Sequence, residues 1–410
     1  MGSQANERES EKLIFDKYKL LEPLGRGGMA EVYRALSVGA AGFKRPVVLK
    51  RILPALAANT QFVDMFVKEA SIAASLDHPN IVQVFDLGEF DGDLFMVMEY
   101  VPGATLASVM QYYGLQGKGV PHAVVAYIAV DVCKALECAH EHRDVSGVRA
   151  PFIHRDVSPQ NVLISSLGTV KLADFGLAMA MSGLRVTIPG VIKGKLGYMS
   201  PEQATGDRDL DHRSDLFSLG VVMYEAISGR RLFVGSSFAD TIRRIKSAQV
   251  PPLFELAPQA PPALLDVVHQ LLARDREKRP ESAGEVRRML SAYLRKVHPP
   301  VDATGLAKIV RLVGVESATA QADDGEGNDE VATAAYSAEE GSSGDRPTLS
   351  EGGTPRDEAL VSPASDEPPT EETPVVKIGE QSAVVPTDAP DAVIISRIVV
   401  IGPPPRETGD

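Results

Sequence analysis

The sequence is short of cysteine, of long apolar runs and of any excess of positive charge, and each shortage removes a class of protein. Its two cysteines, Cys133 and Cys138, stand five residues apart on what reads as one helix. Neither has a neighbour at metal-ligand spacing, so both read as core thiols in a reducing compartment. The longest apolar candidate, Ala392–Gly402, contains Arg397 and falls short of the roughly 18–20 residues that cross a bilayer. Met1–Lys12 is polar, so no signal peptide is expected. The first 300 residues carry 35 Lys/Arg against 33 Asp/Glu. A body so near neutrality has no electrostatic footprint for nucleic acid or an anionic membrane surface.

What is present is length, a core and an acidic end. At 410 residues, 44% of them hydrophobic, the chain suits two lobes plus an appendage. The overall charge of −13 comes from residues 301–410, which hold 22 Asp/Glu and 7 Lys/Arg. Beyond His298 the composition turns to Asp, Glu, Pro, Ser, Thr, Ala and Gly, too polar to offset its chain entropy by burial. A short helix near Thr304–Val315 is the one candidate there for extending the fold. Tyr18 to about Tyr100 reads as strand-rich with one helix near Thr60–Leu76. From Val101 to about Val297 helical periodicity dominates, with short strands near Val162–Ile164 and Val170–Leu172.

Five segments carry chemistry. Leu24-Gly25-Arg26-Gly27-Gly28-Met29-Ala30-Glu31-Val32 is rich in glycine, which lets backbone N–H groups approach phosphate oxygens. A plain hairpin turn fits it equally well, but a strand (Glu31–Ala35) follows, which excludes a dinucleotide-binding unit, and no Gly-Lys-Ser/Thr closes a Walker loop. Val47-Val48-Leu49-Lys50 ends a β-branched run in a lysine, which alone reads equally as a surface lysine. Glu69 lies on the apolar stripe of its helix, with Phe62, Met65, Phe66, Ile72 and Leu76. A carboxylate so placed needs a cation, and Lys50 is the candidate; a rim glutamate in water is the plainer alternative. His154-Arg155-Asp156-Val157-Ser158-Pro159-Gln160-Asn161 precedes one strand, and Asp174-Phe175-Gly176 follows the next. The hairpin between them brings Asp156, Asn161 and Asp174 to one end, as hard oxygen ligands suited to Mg²⁺ on phosphates.

In this order the segments resemble the eukaryotic-like (Hanks-type) protein kinases, specifically the bacterial serine/threonine kinases, over about Tyr18–Tyr293. Later elements agree. Tyr198-Met199-Ser200-Pro201-Glu202-Gln203 resembles the end of an activation segment. Arg213-Ser214-Asp215-Leu216-Phe217-Ser218-Leu219-Gly220 resembles the helix that anchors the catalytic loop, with Phe217 in place of a tryptophan. Arg279-Pro280 supplies an arginine for Glu202.

The resemblance implies an α+β, bilobal fold: a small antiparallel-sheet N-lobe with one main helix, and a larger, mostly helical C-lobe. A flexible leader (1–15), a kinase domain (16–297, with the hinge at 99–101) and an acidic, mostly disordered tail (298–410) are expected, and removal of the chain beyond about residue 300 is expected to leave an active enzyme. ATP and Mg²⁺ are the implied cofactors, and proteins bearing Ser/Thr hydroxyls the implied partners, in the cytoplasm. Asp156 would orient the acceptor hydroxyl. Asn161 and Asp174 would hold Mg²⁺, Lys50 would contact the phosphates and Glu69 would hold Lys50. The glycine loop from Leu24 to Val32 would cover the nucleotide, and adenine would sit among Leu24, Val32, Val48 and Leu163. The backbone of Glu99 and Val101 would read its edge beside Met98. Arg155 would pair with a phosphate on Ser182 or Thr187.

The chain departs from the family pattern at several places. Ala30 replaces the third loop glycine, and Val48 stands where alanine is usual. Ser158 replaces the lysine two residues after the catalytic aspartate, and Lys195 stands where threonine is usual. The last two look exchanged, which puts the Lys195 ammonium forward as the substitute cation beside Asp156; a solvated loop lysine is the plainer reading. Two further functions stay open: a nucleotide-binding pseudokinase, for which Ser158 is the only argument, and a role carried by the tail as a partner-binding arm.

Overall fold

The computed structural model describes residues 13–14, 17–27, 30–57, 59–144, 146–175, 196–207 and 209–323. An antiparallel sheet forms the N-lobe from β1 (Leu13–Ile14), β2 (Tyr18–Arg26), β3 (Ala30–Val38), β4 (Lys44–Ile52), β5 (Val84–Phe90) and β6 (Asp93–Glu99), in the order β1-β2-β3-β4-β6-β5. Alternation along β4 splits its side chains between two clusters. Val47 and Leu49 join Tyr18, Phe95 and Val97 on one face. Val48 and Ile52 join Met96 and Met98 on the other, where Phe62, Phe66, Ala70 and Ala73 of the main helix cover them. Lys50 shares the parity of Val48 and therefore points toward that helix.

A short turn of helix, α1 (Pro54–Ala57), leads to that main helix, α2 (Thr60–Ser75). Asn59 starts α2 by accepting the Gln61 N–H at 3.0 Å. The expected helix near Thr60–Leu76 thus ends one residue early.

Three short strands connect the lobes: β7 (Gly103–Thr105), β8 (Val162–Ser165) and β9 (Val170–Leu172), in one antiparallel sheet. The helical C-lobe contains α3 (Leu106–Leu115), α4 (His122–His140), α5 (Pro201–Thr205), α6 (Arg213–Ser228), α7 (Phe238–Ser247), α8 (Leu253–Leu256), α9 (Pro262–Leu271) and α10 (Ala283–Leu294). Every residue of α6 from Ser214 to Ile227 is buried, as befits a helix apolar nearly all round. Cys133 is fully buried in the same core and Cys138 partly so; burial pushes the Cys133 thiol up.

The fold runs past residue 297. Helix α11 (Ala303–Asp323) packs on α3, β7 and β8, and Leu306, Ala307, Val310 and Val313 are buried in the C-lobe core. The spacing of Leu306, Val310 and Val313 forms one apolar stripe, and each large side chain contributes on the order of 1.5–3 kcal/mol on full burial. The 298 boundary read from composition therefore separates this stripe from its own core. Among the described residues no helix is long and apolar enough to cross a membrane.

Candidate active site

The cleft between the lobes collects most of the expected residues. The β2–β3 turn closes with the Gly27 N–H donating to the Ala30 carbonyl at 2.8 Å. Just beyond it Glu31 accepts from Arg51 and from the Tyr33 hydroxyl, each at 2.9 Å, and these bonds hold its carboxyl below the usual range. The Glu31 side chain is thus engaged within the sheet, and the largely exposed Arg26 reaches it at 3.5 Å. Val32, Val48, Val101 and Leu163 meet in one apolar cluster with Met98 and Ala173. Leu24 stands apart from it, about half exposed.

Lys50 Nζ donates to Glu69 Oε1 at 2.7 Å and to Asp174 Oδ1 at 3.0 Å. Burial opposes the lysine's charge, but the two carboxylates outweigh it and raise its pKa. Burial pushes the Glu69 carboxyl up, with Asp174 adding to the effect and Lys50 opposing it. The carboxylate that sequence placed on an apolar stripe has the cation it needs.

The catalytic-loop region is fixed largely by backbone bonds. Asp215 of α6, fully buried, accepts the N–H of His154 at 2.8 Å, the N–H of Arg155 at 2.7 Å, and His140 Nε2 at 2.8 Å. Burial works against its charge, yet the His140 bond and the backbone donors hold its carboxyl below the usual aspartate range. Arg155 adopts φ 66° at this clamp, a conformation a non-glycine residue holds only when its surroundings impose it. The His154 ring donates from Nε2 to the Ala173 carbonyl at 3.1 Å, accepts the Asp156 N–H at Nδ1 at 3.2 Å, and lies 4.6 Å from the Phe175 ring. Burial lowers its pKa, consistent with the neutral tautomer those bonds require.

Asn161 Nδ2 donates to Asp156 at both the main-chain carbonyl and Oδ2, 2.8 Å each, so the amide oxygen is the end turned away from Asp156. The Ala173 N–H donates to the Asn161 carbonyl at 2.8 Å, which sets Asp174, at φ 56°, next to Asn161. Among the described residues no three His, Cys, Asp or Glu side chains gather as a cage. Asn161 and Asp174 fit Mg²⁺ in the manner that ion prefers, one or two protein oxygens with substrate phosphates supplying the rest.

Behind this layer, Gln203 of α5 donates to the Arg155 carbonyl at 3.0 Å. Glu202 receives a forked pair from Arg279, NH1 at 2.6 Å and NH2 at 2.9 Å. Burial opposes the Glu202 charge, and Arg279 still holds its carboxyl down. Two features were not foreseen from sequence. Lys171 of β9 bridges the lobes by an ion pair to Glu99 at 2.9 Å and donates to the Ile81 carbonyl at 3.3 Å, while the Glu99 N–H donates to the Gln83 carbonyl at 2.8 Å. Ser158 is fully buried, and its hydroxyl meets no partner among the described residues. Gly28, Met29, Ser182, Thr187 and Lys195 lie outside the described residues.

The β2–β3 hairpin, the Lys50–Glu69 pair from strand to helix, and Asp156, Asn161 and Asp174 in the cleft have the arrangement of the protein kinase class. A family profile described as the protein kinase domain matches residues 18–290, and the chain belongs to that family. It is 39% identical over 280 residues to the tyrosine-protein kinase MasK of Myxococcus xanthus, covering 68% of this chain and 43% of that protein. It is 39% identical over 293 residues to the serine/threonine-protein kinase PknB of Mycobacterium tuberculosis, covering 70% and 43%. It is 34% identical over 275 residues to the serine/threonine-protein kinase PrkC of Bacillus subtilis, covering 67% and 40%. The chain thus spans less than half the length of these relatives. Among solved structures, the kinase domain of M. tuberculosis PknI is similar with a TM-score of 0.51 and 30% identity, covering 69% of this chain and 98% of that one.

Proposed function

We propose that the chain transfers the γ-phosphoryl group of ATP to serine and threonine hydroxyls of proteins. The observation that carries this reading is the closed set Lys50–Glu69–Asp174 facing Asp156–Asn161. These charges are assembled before substrate arrives, so little reorganisation is left for the reacting state. Lys50 neutralises phosphate oxygens and Glu69 keeps its ammonium in place. Asp156, with its carboxylate steered by Asn161, accepts the hydroxyl proton and aligns the acceptor oxygen. Asn161 and Asp174 would hold Mg²⁺, which would supply charge neutralisation on the phosphates. Val32, Val48 and Leu163 enclose the adenine against the backbone of Glu99 and Val101, and the glycine loop is the proposed cover of the phosphates. Glu31 braces that loop through Arg51.

Arg155 is the proposed reader of a phosphate on Thr187 or Ser182, and Lys195 the proposed substitute for the cation missing at Ser158; both rest on sequence. The cytosol is the proposed location, supported by the free thiols, and the acidic tail the proposed partner-binding arm. Incubation with γ-labelled ATP, followed by separation of phosphoserine and phosphothreonine from phosphotyrosine, tests the reaction and the acceptor together, since MasK is named a tyrosine kinase. Absence of transfer leaves only the scaffold reading.

A further inference from the structure

Strand β8 divides two clusters. Val162 and Ile164 are fully buried in the C-lobe core together with Leu306, Val310 and Val313 of α11. Leu163, between them, turns to the opposite side and packs on the cluster of Val48 and Met98, as the two-residue period of a strand dictates. The helix packs on β7 and β8 and on α3, and so lies behind the sheet that carries the exit from the hinge, Leu163, and the approaches to Asn161 and Asp174. Its start is fitted to the β8–β9 turn. Gly168 has φ +84°, and a Cβ built there would collide with the carbonyl oxygen of Ala303; only glycine satisfies both the left-handed turn and the close approach. Asp302 accepts the Gly305 N–H at 2.8 Å, satisfying one of the unpaired donors of the first turn. The helix itself lies beyond residue 290, where the family match ends.

We propose that α11 is a positioning element for nucleotide binding: Leu306, Val310 and Val313 support β8 from behind and thereby set the place of Leu163 in the adenine pocket. This rests on the kinase reading above. Packed interiors transmit a cavity on one side of a strand to the other because side chains interdigitate without slack. Removal of a buried side chain from α11 loosens β8 and lowers nucleotide affinity. An equal removal elsewhere in the C-lobe core lowers stability alone.

The test compares Leu306→Ala with Leu264→Ala in the full-length chain, both leucines being fully buried. Val310→Ala is the milder variant if Leu306→Ala does not fold. Three quantities are measured well below every melting temperature: the dissociation constant for Mg-ADP by calorimetry, the thermal midpoint, and amide hydrogen exchange in β8. Both leucine variants are expected to melt earlier. Leu306→Ala alone is expected to raise the dissociation constant about threefold or more, the scale of coupling carried by contiguous packing, and to speed exchange at Val162–Ile164. Wild-type affinity and exchange in Leu306→Ala, or the same changes in Leu264→Ala, overturn the proposal. Failure of the wild-type chain to bind Mg-ADP overturns the kinase reading instead, and β8 exchange then still decides whether α11 supports the strand.

Discussion

Ser158 shows how one residue alters the chemistry available in the catalytic loop. The family's lysine is a long cation reaching into the cleft, whereas here a short hydroxyl is fully buried without a partner among the described residues. A buried, unbonded hydroxyl costs about 1–3 kcal/mol. Ser158→Ala is therefore expected to leave stability unchanged or to raise it within that range, as measured by urea denaturation; a loss of more than about 1 kcal/mol would mean that the hydroxyl has a partner the described residues do not include. A lysine restored at 158 starts from a site with no exposed surface, and its stem must find a route to the cleft before its charge is useful. The residues that the structure gathers in the cleft were legible because each is a fixed side-chain type at a fixed spacing. Lys50, Glu69, Asp156, Asn161 and Asp174 have few alternatives that perform the same task. Lys171 was not legible. Lysine is common on surfaces, and its partner Glu99 lies on another strand with no periodic relation to it.

Among the elements, α5 and α6 act as the frame for the catalytic loop. Asp215 holds two successive backbone N–H groups of that loop, and Gln203 holds the Arg155 carbonyl from the other side. Arg279 secures α5 through Glu202, with the arginine side chain wholly buried. Removing one partner of such a pair leaves a buried carboxylate uncompensated, at about 3–5 kcal/mol. Arg279→Ala is expected to lose stability on that scale in denaturant titration, whereas Arg243→Ala, which removes an exposed partner on α7, is expected to cost well under 1 kcal/mol. Comparable losses in the two would contradict this assignment of the frame. The positions of α2, β8 and β9 were legible because hydrophobic period and turn signals agree there, whereas the C-lobe helices were legible only as one helical region. The far end of α11 was not legible, because its apolar stripe stops at Val313 while residues 316–323, Glu-Ser-Ala-Thr-Ala-Gln-Ala-Asp, carry no apolar period to read.

For the whole molecule, the fold reaches past the boundary drawn at residue 298. Residues 301–322 carry two Asp/Glu and two Lys/Arg, so the acidic run starts only at Asp323, where α11 ends, and the C-lobe core draws in Leu306, Val310 and Val313 before it. A chain ending at residue 300 is expected to melt several degrees below one ending at residue 323, since each kcal/mol shifts the midpoint of a domain of this size by roughly 2–4 °C. Equal midpoints by calorimetry would show that α11 adds nothing to the fold. The central claim, that this frame and cleft form a working phosphotransferase, is tested most directly by the rate of label transfer from γ-labelled ATP to a protein acceptor in the wild-type chain and in Asp156→Asn. The asparagine has the same shape but cannot accept the hydroxyl proton, so the variant is expected to retain its melting temperature and lose about 10²–10³-fold or more in rate, the scale for a positioned catalytic group. Wild-type turnover in Asp156→Asn, or no transfer by the wild-type chain, would contradict it.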